Sequence, residues 1–104
     1  MPGVQNTIGK NFYTYPVTLS TTPTKLATLL NITKLPDNQL LGDVKQVTFS
    51  DAQAGCQLGD SRGTAYVSIP EAGQTLDVPV LNALEKVYLK SSSGEPTLVV
   101  MVYA

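Results

Sequence analysis

The most constraining feature of this sequence is a repeated switch between short alternating runs and turn-forming clusters. Val17 and Leu19 alternate with Thr18 and Ser20, and Val47 and Phe49 lie on one side of the run 44–50. Ala65, Val67 and Ile69 alternate with Tyr66 and Ser68. Leu76, Val78 and Val80 alternate with Thr75, Asp77 and Pro79, and Val87 and Leu89 with Lys86, Tyr88 and Lys90. A period of two places successive side chains on opposite faces of a half-buried antiparallel strand. Between the runs stand Thr22-Pro23, Leu35-Pro36-Asp37-Asn38, Ser50-Asp51, Gly59-Asp60-Ser61-Arg62-Gly63, Pro70-Glu71-Ala72-Gly73 and Ser91-Ser92-Ser93-Gly94-Glu95-Pro96. Each cluster breaks regular structure through positive φ, fixed φ or local side-chain bonding. Strands at intervals of roughly 8–12 residues predict an all-β sandwich or barrel.

About eight strands are predicted, near residues 16–20, 25–31, 44–50, 56–59, 64–69, 74–79, 86–91 and 97–103. Leu26, Leu29 and Leu30 have i, i+3, i+4 spacing, but the segment is short and Thr-rich, so strand is preferred over helix there. Residues 81–85 read as a turn or a single 3₁₀ turn. The run Leu98-Val99-Val100-Met101-Val102-Tyr103 is apolar on both faces. Such a strand is covered on both sides, either by its own domain or by a neighbouring subunit. Val99, Met101 and Tyr103 are therefore candidate interface residues.

At 104 residues the chain fits one domain, expected over 16–104, preceded by an extended arm over 1–15. The arm mixes Gly and Asn with Val4, Ile8, Phe12, Tyr13 and Tyr15. Aromatics bury large areas at small entropic cost, so these five residues are candidate docking anchors; the alternative is that they cap the domain's own core.

Composition narrows the function classes. Only 14% of residues are charged against 42% hydrophobic, and the net charge is −1. A low charge share suits a subunit packed against others, and equally a monomer with a Ser/Thr-rich surface. The sequence has no clustered basic footprint for nucleic acid, and no apolar run approaches the ~20 residues that span a bilayer. No secretory h-region opens the chain and Cys56 is the single cysteine, which together read as synthesis in a reducing cytoplasm.

Histidine is absent, which removes the commonest general base and metal ligand together. Cys56 sits in a β-like stretch and reads as a small hydrophobe. The carboxylates are scattered through turn-rich segments, where a solvated or turn-forming role is expected. Asp51 and Asp60 could line one loop site, but no calcium-loop spacing occurs. The 59–63 segment lacks the ending of a phosphate loop and reads as a hairpin turn. Five Tyr and no Trp leave a weakened case for sugar stacking. No enzyme activity and no cofactor are expected.

The C-terminal half carries a resemblance. Leu58-Gly59-Asp60, Gly63-Thr64-Ala65-Tyr66-Val67, Ala72-Gly73-Gln74-Thr75-Leu76, the run from Val80 to Ser91 and the closing Leu98–Tyr103 form an ordered series. Over residues 56–104 this series resembles small structural proteins of tailed-bacteriophage virions. Glu71-Ala72-Gly73-Gln74 stands where those proteins prefer Pro-Gly-Glu-Ser. The resemblance implies a β-sandwich, often jelly-roll-like, sitting on the virion as a decoration or cement protein that binds the major capsid protein. A tail, neck or head-fibre adaptor is the alternative within the virion, and a carbohydrate- or ligand-binding module the alternative outside it. It also implies a homo-oligomer, with a trimer as the guess that matches capsid three-fold axes. It carries over no functional residues, because the likeness marks turns and core positions alone.

Overall fold

The computed structural model describes residues 11–104, and the alternating runs become strands as their period dictates. The strands are β1 (Phe12–Thr18), β2 (Thr24–Lys25), β3 (Gln46–Ser50), β4 (Cys56–Gly59), β5 (Tyr66–Ser68), β6 (Leu76–Val78), β7 (Tyr88–Ser91) and β8 (Thr97–Tyr103). They form two four-stranded antiparallel sheets, ordered β1-β8-β3-β6 (sheet A) and β2-β7-β4-β5 (sheet B). The pairing is nested from the ends of the chain inward: β1 with β8, β2 with β7, β3 with β6, β4 with β5. One long folded hairpin rolled into a sandwich gives this order, the arrangement of a jelly roll.

Phe49 is the bulkiest side chain in the core and is wholly buried, with Val47, Val100, Val102, Leu19, Leu89 and Leu98 around it. These residues come from the inward-facing positions of both sheets, so burial and the period-two pattern have one cause. Cys56 is buried among them, and burial pushes its thiol pKa up. This fits the reading of a small hydrophobe and leaves the thiol poorly ionised.

Two local readings of the sequence are corrected. The segment expected as a strand over 25–31 is mostly a helix, α1 (Leu26–Leu30), with β2 reduced to two residues before it. Its Leu spacing lays Leu26 and Ala27 into the core, and Asn31 ends it in the left-handed conformation at φ 56°, a position where Asn is tolerated. The turn expected at 81–85 is the short helix α2 (Ala83–Lys86), entered from Asn82 at φ 61°. An ion pair from Lys25 to Glu85, 2.8 Å long, joins the neighbourhoods of the two helices.

The strand boundary at the N-terminus also moves. Residues 12–15, expected in the arm, form the first half of β1, because Tyr13, Tyr15, Val17 and Leu19 continue one inward-facing series. Residues 1–10 lie outside the described part of the chain, and with them the candidate anchors Val4 and Ile8.

The hairpin predicted at 59–63 is present. Asp60 accepts hydrogen bonds from the Arg62 backbone N–H at 3.0 Å and from Arg62 Nε at 2.8 Å, and the Arg62 guanidinium holds the Asp60 carboxyl below the usual carboxylate range. Just before the turn, the Tyr66 ring lies over Gly59: a Cβ there would come within 2.8 Å of ring carbons and 2.9 Å of the Ala65 carbonyl oxygen. Because the oxygen belongs to the backbone, rotating the ring alone does not relieve the clash. Gly59→Ala is expected to destabilise the fold by about 1–3 kcal/mol through overpacking; chemical denaturation checks it, and an unchanged midpoint would show that the hairpin yields.

Candidate protein-docking face

The outer face of sheet A follows from register. Phe12 pairs with Tyr103, Thr14 with Met101 and Pro16 with Val99, and on the other side of β8 stand Gln46, Thr48 and Ser50. Since Leu98, Val100 and Val102 point into the core, Val99, Met101 and Tyr103 must point away from it. All three are partly buried, and Thr48, between Met101 and Asp77 on the same face, is buried. Phe12 is 55% exposed at the end of the row. Its ring meets that of Tyr103 at a centroid distance of 5.2 Å, tilted by 37°, a favourable aromatic pairing.

The face has an apolar stripe and a polar flank. Phe12, Pro16, Val99, Met101 and Tyr103 make the stripe on β1 and β8. Beside it Gln46 Nε2 donates to Thr48 Oγ1 at 3.1 Å, and Thr48 Oγ1 donates to Asp77 Oδ1 at 2.7 Å. Asp77 is the single ionisable carboxylate in these registered rows. Sheet B differs. Its outer surface carries Lys25 and Lys90, and the Lys90 ammonium sits 4.7 Å from the centre of the Tyr66 ring. Charge depletion is one compositional mark of an interface centre; the outer face of sheet A is charge-poor and carries Met101, while that of sheet B carries Lys25 and Lys90 beside Tyr66 and Tyr88.

The β1 edge of sheet A is poorly suited to strand addition. Asn11 and Ala104 exchange both backbone hydrogen bonds, at 2.7 and 2.9 Å. Bonded pairs alternate along an antiparallel ladder. Tyr13, Tyr15 and Val17 therefore bond to β8, and Phe12, Thr14, Pro16 and Thr18 direct their backbone groups to the free edge. Pro16 has no N–H to offer, so the middle of that edge lacks a donor. Proline at this place is a known guard against edge-to-edge pairing.

The sequence-derived anchors divide between two faces. Phe12, Val99, Met101 and Tyr103 come together on the outer face of sheet A. Tyr13 and Tyr15 turn inward and pack against the core, the alternative open to them from the sequence. Tyr13 Oη donates to the Pro36 carbonyl at 3.2 Å and lies 3.5 Å from Asp37 Oδ2. Loss of hydration raises its pKa, with the charge and hydrogen bond of Asp37 adding to this, and burial does the same for Tyr15. A phenol whose folded pKa lies above its unfolded value stabilises the fold fully below the unfolded pKa. That contribution is lost as pH rises through the folded value. Stability is therefore expected to fall above about pH 10, with phenolate absorbance from these two rings appearing above the ordinary phenol range. Ionisation of Tyr13 and Tyr15 within the ordinary phenol range, with no loss of stability, would contradict this.

Pro16 and Thr48 were not singled out from the sequence. Pro16 was legible as a proline inside an alternating run, and Thr48 was not, because its burial depends on Asp77 from a strand far along the chain. Among the described residues, no three His, Cys, Asp or Glu side chains are grouped so as to hold a metal ion. Comparison with protein-family models, with curated proteins and with solved structures finds no match to this chain.

Proposed function

We propose that the protein is a non-enzymatic structural component of a tailed-phage virion that binds the major capsid protein as a decoration or cement subunit. The observation that carries this reading is the charge-poor apolar stripe of Phe12, Pro16, Val99, Met101 and Tyr103 on the outside of sheet A. A stripe of this kind is unfavourable in water and suits a partner of matching apolar surface. The rigid two-sheet body behind it holds the stripe without a further ordering cost on binding. The virion assignment rests on the resemblance of residues 56–104, supported by the jelly-roll order of the strands. In this reading a cyclic homo-oligomer, a trimer in the simplest case, repeats the face around a symmetric shell, so that weak contacts act together.

The test is co-expression with the major shell protein encoded in the same genome, followed by sedimentation of the assembled particles. The protein is expected to travel with the particles in a fixed ratio to shell protein. Recovery entirely in the soluble fraction, with particles formed normally, would refute the assignment.

A further inference from the structure

A second apolar feature lies on a different part of the sandwich. β5 and β6 are each the last strand of their sheet, and the two edges flank an open seam. The seam is a cleft of about 400 Å³ walled by Leu58, Val67, Val78, Val80 and Val87. Val67 stands opposite the partly buried, core-packed Leu58 in the β4–β5 register, so it faces the interior side of sheet B, yet it is 61% exposed. Val80 is 38% exposed. Inward-facing aliphatic side chains left in water are uncovered apolar surface, and the volume lies in the range of small-molecule sites.

The lining of the cleft carries charge of one sign in excess. Asp60, Arg62 and Lys86 all line it. Asp60 and Arg62 cancel through their 2.8 Å pair, and Lys86 makes no ion pair among the described residues. One uncompensated cation above aliphatic walls selects a molecule with one anionic head and an aliphatic chain. A partner's extended strand fits less well. β5 and β6 have three residues each, and Pro70 and Pro79 follow closely, so strand addition would gain few backbone hydrogen bonds.

We infer that the seam between β5 and β6 binds a single-chain aliphatic carboxylate, with the chain against Val67, Val78 and Val80 and the carboxylate at Lys86. This goes beyond the docking role and uses a different surface, so each stands or falls separately.

The experiment is titration of the full chain, followed by methyl-resolved NMR, with decanoate, decanol and decyltrimethylammonium, each held below its micelle concentration. Decanoate is expected to shift the Val67, Val78 and Val80 methyl signals saturably. Decanol should bind about tenfold more weakly, in line with loss of one charge-assisted contact, and the cationic amphiphile should not saturate. Lys86→Ala is expected to reduce decanoate affinity about tenfold and Val67→Asp to remove binding, both with unchanged thermal midpoints and unchanged attachment to particles. Absence of saturable shifts at these methyls, equal binding of decanoate and decanol, or full binding by Val67→Asp would overturn the proposal. So would cross-linking of a photoreactive residue at position 67 to the shell protein, which would give the seam to a protein segment.

Discussion

If the protein docks on a shell through the outside of sheet A, as proposed, Met101→Lys is expected to detach it while leaving the fold intact. Met101 sits mid-stripe, between Val99 and Tyr103 on its own strand and between Thr14 and Thr48 on the neighbouring ones. A lysine there keeps a long flexible stem along the sheet and can raise its ammonium into water, so the free protein should lose less than about 1 kcal/mol. At an interface centre the same ammonium would be desolvated without a partner. Truncation or charge insertion at such positions typically costs about 2–4 kcal/mol, which is about 30-fold to 1,000-fold in affinity. Lys90→Glu on the outer face of sheet B is the matched control, and it should leave attachment unchanged. Thermal melts of both variants establish that folding is preserved, and sedimentation with particles reads attachment. Loss of attachment by the control and not by Met101→Lys would move the docking face to the other sheet.

Phe49→Ala is expected to produce the largest loss of stability of any single core truncation. Phe49 is wholly buried and pairs with both Val100 and Leu76, so it fills the centre of sheet A's inner face. Removing its ring deletes the transfer energy and leaves a cavity that two hydrogen-bonded sheets cannot close. The cost is about 3–5 kcal/mol, a large part of the 5–15 kcal/mol or so that hold a domain of this kind together. The thermal midpoint should fall by more than about 10 °C. Phe12→Ala removes the same ring from the exposed end of the outer stripe and should shift the midpoint little. Equal losses for the two would mean that the outer face is covered within the free protein.

What was readable in the sequence follows from how local each cause is. β3, β4, β7 and β8 were legible within a residue or two because their alternation is set by inward-facing side chains such as Val47, Phe49, Leu89 and Val100. The first strand was read four residues too late. Tyr13 and Tyr15 extend the series of Val17 and Leu19, but Gly and Asn nearby suggested an arm. Thr-rich composition over 25–31 favours strand and masks the Leu26, Leu29, Leu30 spacing of the α1 helix; Asn31, in the left-handed conformation at its end, is the stop signal. The two-sided apolarity of Leu98–Tyr103 made Val99, Met101 and Tyr103 legible as apolar residues on the face turned away from the core. The partition of Phe12 from Tyr13 and Tyr15 needed the register with β8. The seam between β5 and β6 was not readable at all, since it depends on which edges of two sheets stand together.

The claim at the centre is that the outside of sheet A is the surface that touches the shell. Site-specific photo-cross-linking on assembled particles tests it most directly, with the photoreactive residue placed at position 99 in one preparation and at position 90 in another. Cross-links to the shell protein from position 99, with none from position 90, are the expected result. Cross-links from position 90 alone, or from neither position on particles that carry the protein, would contradict it.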